Sequence, residues 1–115
     1  MAHAFRPITV SFTPVARREL NAFVASVYRG DWGDGLVPIV SLEPSGFHAH
    51  EPARAKTGFV LGATDLDHHH RACVLVRPRL ASLDGMAFLL KLPAQASVLD
   101  RVDFDWRDGR LLAQN

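Results

Sequence analysis

One segment of the sequence has a clear helical pattern, and this constrains the fold more than any other feature. Apolar residues recur three or four positions apart over 14–28, which predicts one long amphipathic helix (Ala16, Leu20, Phe23, Val24, Val27). Thr13 suits the N-cap, and Pro14 suits the first helical position because its missing N–H has no partner there anyway. A single helix is too few for the repeated strand–helix–strand crossovers of a parallel α/β fold.

The rest of the chain consists of short apolar runs that are typical of strands. We expect strands at 8–12, 36–42, 58–66, 72–77, 86–92 and 99–107, and a last strand that begins at Leu111. Pro38 cannot donate to a ladder, which predicts an edge strand or a bulge at 36–42. A short helical turn is expected over 78–84, stopped by Gly85, and 86–92 also fits a buried helix.

These elements predict an α+β fold in a single domain over residues 1–115, a length that fits one domain. The turn at 65–71 and the Asp108-Gly109 turn favour antiparallel hairpins. We therefore expect one long N-terminal helix packed on a mixed or largely antiparallel sheet of about six or seven strands.

Charge and cysteine content exclude several classes of partner. The formal net charge is +1 and no block of like charge occurs, so neither nucleic acid nor an anionic membrane is expected. No apolar run approaches the length of a membrane span. The single cysteine, Cys73, cannot form an intramolecular disulfide, and we expect a cytoplasmic protein.

Three short motifs resemble the HesB-like fold of A-type iron–sulfur carriers: ITVSFTPVA at 8–16, VLVRP at 74–78 and LDG at 83–85. That resemblance implies a strand, a Thr-capped helix and then a set of strands. The family holds its cluster with a Cys-Ser-Gly and a later Gly-Cys-Gly, and neither is present here. Pro44-Ser45-Gly46 stands where the first is expected, and Cys73 matches no position of the pattern. One thiol per chain cannot hold a cluster, so the carrier activity is expected to be lost.

Histidines beside carboxylates form a candidate metal site. His48 and His50 lie in the long segment 43–57, and His68 and His70 lie in the turn at 65–71, with Asp65, Asp67 and Glu51 nearby. Such ligands suit zinc or another divalent transition metal, provided that the two segments converge. The alternative is that polar residues simply accumulate in turns, in which case no cofactor is expected.

Two further residues have both a functional and a structural interpretation. Trp32, in the glycine-rich segment 30–35, either anchors a partner or packs on the core. Cys73 is a candidate nucleophile, but alternation within ACVLV favours a buried thiol.

The aspartates of 100–108 alternate with arginines, and we expect a solvated charge ladder there instead of an acid–base pair.

Three functional hypotheses remain from the sequence. The first is a small non-catalytic domain of HesB-like fold that acts by binding an unknown protein partner or by forming a homodimer. The second is a histidine-based metal-binding protein that uses His48, His50, His68 and His70. The third is a small enzyme with a pocket beside the long segment, although no complete catalytic set is recognisable.

Overall fold

A computed structural model describes residues 5–28, 36–42, 59–65, 77–93 and 98–114 of the chain. Within these residues the fold has one helix and seven strands, which confirms the α+β class. The elements are β1 (Thr9–Phe12), α1 (Pro14–Val27), β2 (Leu36–Leu42), β3 (Phe59–Asp65), β4 (Arg79–Leu83), β5 (Met86–Lys91), β6 (Arg101–Arg107) and β7 (Arg110–Gln114). The strands form two mixed sheets, so the prediction of a single sheet is wrong.

Helix α1 begins as the sequence predicts but is shorter than expected. The Thr13 hydroxyl accepts a hydrogen bond from the Ala16 N–H at 3.3 Å, and Pro14 occupies the first turn. The helix has 14 residues and ends where Tyr28 becomes extended, with φ −60° and ψ 131°. This is an ordinary length for a globular protein, and the prediction of a long helix is therefore wrong.

The larger sheet has four strands in the order β3-β2-β5-β4. Strand β2 pairs antiparallel with β3 and parallel with β5, so it is a central strand and the edge-strand prediction is wrong. Pro38 lies opposite Ala63, and the ladder with β5 begins only at Ile39. The sheet accommodates the missing N–H of Pro38 because the parallel ladder starts one residue later.

Strands β4 and β5 form an antiparallel hairpin, in which Leu83 pairs with Met86 across the turn. Asp84 and Gly85 occupy the turn with φ 50° and 83°, the positive values that a type I′ turn requires. The helical turn predicted at 78–84 is therefore wrong. The strand alternative for 86–92 is confirmed over Met86–Lys91.

The smaller sheet has three strands in the order β1-β6-β7. Strand β1 pairs parallel with β6, from Thr9 opposite Arg101 to Phe12 opposite Phe104. Strand β7 returns antiparallel through the predicted Asp108-Gly109 turn, which again has positive φ at both positions. The predicted strand at 72–77 lies outside the described residues apart from Arg77, which is not in a strand.

The segment before β1 links the two sheets. Residues 6–8 lie beside β4, where the Ile8 N–H donates to Leu80 O at 2.9 Å and the Leu80 N–H donates to Arg6 O at 2.7 Å. One residue later the chain joins the other sheet, where the Thr9 N–H donates to Asp100 O at 3.0 Å. The backbone therefore changes sheets between Ile8 and Thr9.

The main core lies between α1 and the two sheets. Its buried members come from the helix and from both sheets (Ala16, Leu20, Val24, Val40, Leu42, Leu83, Phe88, Leu90, Val102, Phe104, Leu111). A smaller cluster of Phe5, Val37, Ile39 and Leu89 includes side chains from the other face of β2 and β5. Because β2 contributes side chains to an apolar cluster on each face, its sequence is almost continuously apolar. In the part of the chain that is described, no helix is long and apolar enough to cross a membrane.

Candidate functional site

The residues predicted to bind metal or a partner lie outside the described part of the chain. These are His48, His50, His68 and His70 for metal and Trp32 for a partner, and Cys73 also lies outside. Among the residues that are described, no group of three or more histidine, cysteine or acidic side chains is placed to hold a metal ion. Zinc binding by the four histidines stays a prediction.

The β2–β3 pair sets a distance condition on that metal hypothesis. His48 and His50 follow the end of β2, where Leu42 lies opposite Phe59. His68 and His70 follow the end of β3, where Asp65 lies opposite Leu36. Six residue steps separate these two ends, which is roughly 20 Å at about 3.3 Å per step. For the two pairs of histidines to share one ion, the segment after β2 or the segment after β3 would have to span this distance.

The aspartates of β6 form the expected charge ladder on the polar face of the smaller sheet. Asp103 accepts a hydrogen bond from the Ser11 hydroxyl and another from Arg101 Nε at 3.0 Å. The bond from Ser11 is the main reason that the pKa of Asp103 lies below its usual value, although partial burial opposes it. A carboxylate held ionised in this way is a poor proton donor near neutral pH.

Asp105 repeats this arrangement two residues further along the same face. Burial alone would raise the pKa of Asp105, but three hydrogen bonds together outweigh burial and lower it. The donors are the Thr13 hydroxyl at 2.9 Å, the Trp106 N–H at 2.8 Å and Arg107 Nε at 2.7 Å. Each β6 aspartate is thus satisfied by a hydroxyl and an arginine. The predicted pairing with arginine is confirmed for Asp103 and Asp105, but their carboxylates are half-buried instead of fully solvated, which favours a structural role.

Arg79 is a buried cation that sequence reasoning missed. Its side chain is only 6% exposed. The guanidinium donates to the carbonyl oxygens of Leu99 at 2.6 Å, Pro7 at 2.8 Å and Arg6 at 3.4 Å. Burial, reinforced by nearby Arg6 and opposed by Asp100, lowers its pKa. Arg79 therefore fastens β4 to the two segments that precede β1 and β6.

The outer edge of β3 is a candidate site for binding a partner strand. In the described part of the chain, β3 is at the end of the larger sheet and pairs only with β2. It spans seven residues, FVLGATD, without proline and without charge before Asp65. Soluble proteins usually protect such an edge with charge, proline or a bulge.

Side-chain exposure along β3 agrees with this interpretation. Val60 is 54% exposed, so β3 presents an apolar side chain on its outer face. A Cβ added at Gly62 would meet no atom within 4 Å, so the surface beside it is open. The uncharged sequence of β3 was a signal for such an edge, but Pro38 directed the edge prediction to β2. The strand predicted at 72–77, which would lie beside β3, falls outside the described residues apart from Arg77 and stays a prediction.

Comparison of the chain with protein-family models, with curated proteins and with solved structures finds no match.

Proposed function

We propose that this protein is a small non-catalytic domain of HesB-like fold that has lost cluster ligation and acts by binding protein. The order of a strand, a Thr-capped helix and a later Leu-Asp-Gly turn supports the resemblance. The motif at 74–78 lies mostly outside the described residues and adds nothing further. The single cysteine in the sequence supports the loss of cluster ligation and a cytoplasmic location.

The observation that carries the proposal is the outer edge of β3, which pairs with no second strand among the described residues and has no charged residue before Asp65. A sheet edge binds an extended partner strand because its outward N–H and C=O groups form a new ladder, and side chains beside the ladder add specificity. Val60 is exposed and a Cβ at Gly62 would meet no atom within 4 Å, so the outer face of β3 offers an apolar contact and open space for the side chains of a partner strand. Charged residues, which would oppose an apolar partner strand, are absent from 59–64.

A labelled peptide tests this proposal directly. The probe is the β3 sequence FVLGAT with lysines added at both ends for solubility, and its fluorescence anisotropy is followed as the full-length protein is added. We expect saturable binding that weakens at least tenfold in Val60→Lys, because a charge at the edge interferes with strand addition.

Val98→Lys is the matched control, because Val98 is 77% exposed and lies outside β3. This variant should bind the peptide as the unmodified protein does. Equal binding by Val60→Lys and Val98→Lys, or no binding by the unmodified protein, would contradict the proposed function.

A further inference from the structure

We propose that Asp108 is a site of spontaneous backbone modification, at which the aspartyl linkage to Gly109 converts to an isoaspartyl linkage, while the equivalent Asp84 is protected. This inference is independent of the proposed function, because it concerns the chemistry of a turn and not the binding of a partner. Both turns have the sequence Asp-Gly. A glycine after the aspartate leaves its own backbone nitrogen open to attack because it has no side chain.

The reaction exchanges bonds within the turn and needs only water. The backbone nitrogen of Gly109 attacks Cγ of Asp108, a C–N bond forms, and the carboxyl hydroxyl leaves as water together with the proton of the Gly109 N–H. Water then opens the cyclic imide that results. Cleavage between the nitrogen and Cγ restores aspartate. Cleavage between the nitrogen and the main-chain carbonyl carbon leaves the chain running through Cβ and Cγ, which is the isoaspartyl form.

The two turns offer this chemistry on the same backbone. Asp84 and Asp108 have φ of 50° and 53°, and the glycines that follow them have φ of 83° and 73°. All four residues are exposed. A Cβ built at either glycine would meet no atom within 4 Å, so the space beside the two glycines is equally open. A difference in reactivity must therefore come from the two carboxylates.

The carboxylates differ in what holds them. Asp84 pairs with Arg17 of α1 and accepts a hydrogen bond from Asn21 Nδ2 at 2.9 Å. Its carboxyl group must lose both contacts before Cγ can turn toward the backbone nitrogen that follows. Asp108 is described by the structure and has no hydrogen bond or ion pair that would have to be broken first. The reaction should therefore be faster at Asp108.

Modification at Asp108 has a consequence for the hairpin, because the turn has only two central residues. Arg107 pairs with Arg110, so the ladder closes directly beside the turn. The isoaspartyl linkage adds one carbon to the main chain, and the dihedral pattern of a type I′ turn is lost. Strand β7 contributes Leu111 and Ala113 to the main core. The modified protein should therefore unfold at a lower urea concentration than the unmodified protein.

Ageing of the full-length protein tests the proposal. The protein is incubated for several weeks at neutral pH and digested with an endoproteinase that cleaves before aspartate but not before isoaspartate, and missed cleavage is measured by mass spectrometry. We expect missed cleavage at Asp108 to accumulate at least about threefold faster than at Asp84, the factor that loss of an exposed ion pair and one hydrogen bond implies. Equal rates at the two sites, or no missed cleavage at Asp108, would overturn the proposal.

The double variant Arg17→Met/Asn21→Ala is the matched control, because it removes both contacts of Asp84 and leaves the second turn unchanged. Missed cleavage at Asp84 should rise toward that at Asp108, which should itself not change. An unchanged rate at Asp84 would show that the contacts with α1 do not protect it. The unmodified protein in concentrated urea provides a second control, in which the difference between the sites should shrink. A difference that persists in urea would assign it to neighbouring residues in the sequence and overturn the structural explanation.

Discussion

The two Asp-Gly hairpins of this protein have the same turn but different surroundings. Asp84-Gly85 joins β4 to β5 and Asp108-Gly109 joins β6 to β7, and all four residues have positive φ. The carboxylate of Asp84 contacts α1, where it pairs with Arg17 and accepts a hydrogen bond from Asn21 Nδ2 at 2.9 Å. Within the described residues, Asp108 has no such contact. The backbone conformation of each turn is thus set locally. Both hairpins pack on α1, but among the described residues only the first hairpin contacts the helix through its turn aspartate.

Stability should depend more on an arginine of the first hairpin than on one of the second. Strand β4 of the first hairpin begins at Arg79, whose side chain is buried. We expect Arg79→Met to lower the free energy of unfolding by about 2 kcal/mol, since about 1 kcal/mol is lost for each of two carbonyl groups, Pro7 O and Leu99 O, that lose this donor. The Arg6 carbonyl keeps its hydrogen bond from the Leu80 N–H. Urea denaturation followed by circular dichroism measures the change. The control, Arg107→Met on the second hairpin, removes a guanidinium that is 59% exposed, and its effect should be small.

Replacement of the turn glycines tests whether the two turns are equivalent. Gly85→Ala and Gly109→Ala should each cost about 1–2 kcal/mol, because an L residue is strained at positive φ. A Cβ at either position meets no atom within 4 Å, so the cost is conformational and not steric. Thermal unfolding should give equal losses within about 0.5 kcal/mol. A much larger loss at Gly85 would show that docking on α1 constrains the turn backbone.

Replacement of the turn aspartates measures the docking itself. Asn tolerates positive φ as Asp does, so Asp84→Asn keeps the turn and weakens only the pair with Arg17. We expect a loss of about 0.5 kcal/mol, because both partners are about half exposed and such pairs are weak. Asp108→Asn should be neutral. The difference should shrink in 1 M salt, and a difference that is independent of salt would contradict an electrostatic origin.

Acid should destabilise the second hairpin, since the two carboxylates of β6, Asp103 and Asp105, both have lowered pKa values. Their folded pKa values are lowered, so the stability that they contribute is complete above the unfolded pKa of about 4 and is lost as pH falls through the folded values. Both side chains are partly exposed, and we expect less than about 1 kcal/mol in total. Urea unfolding at pH 7, 5 and 3 should show a shallower decline in Asp103→Asn/Asp105→Asn than in the unmodified chain.

The sequence predicts those parts of the fold in which local pattern and tertiary environment agree. Thr13 and Pro14 define the start of α1, and Asp108-Gly109 defines a hairpin because alternating residues surround it. The same dipeptide at Asp84-Gly85 was misread because β4 is short and follows Pro78, which resembles a helix start. Pro38 led to the wrong prediction that β2 is an edge strand, because sequence alone does not say where the ladder with β5 begins.

The candidate site was less predictable than the fold. The histidines are predicted to bind metal from residue type alone, whereas the outer edge of β3 depends on strand order, which no residue type encodes. The role of Arg79 was equally unpredictable, because its guanidinium donates to three carbonyl oxygens that are distant in sequence. A buried arginine is recognised by its surroundings and not by its neighbours along the chain.

The parallel pairing of β1 with β6 determines when this protein can finish folding. Ser11 and Asp103 are 92 residues apart, so β1 is synthesised well before the strand with which it pairs. At a synthesis rate of about 5–20 residues per second, β1 waits roughly 5–18 s for β6. Closing so long a loop also slows refolding of the complete chain. During that interval the hairpin of β4 and β5 can form from local contacts, because its two strands are joined by a two-residue turn.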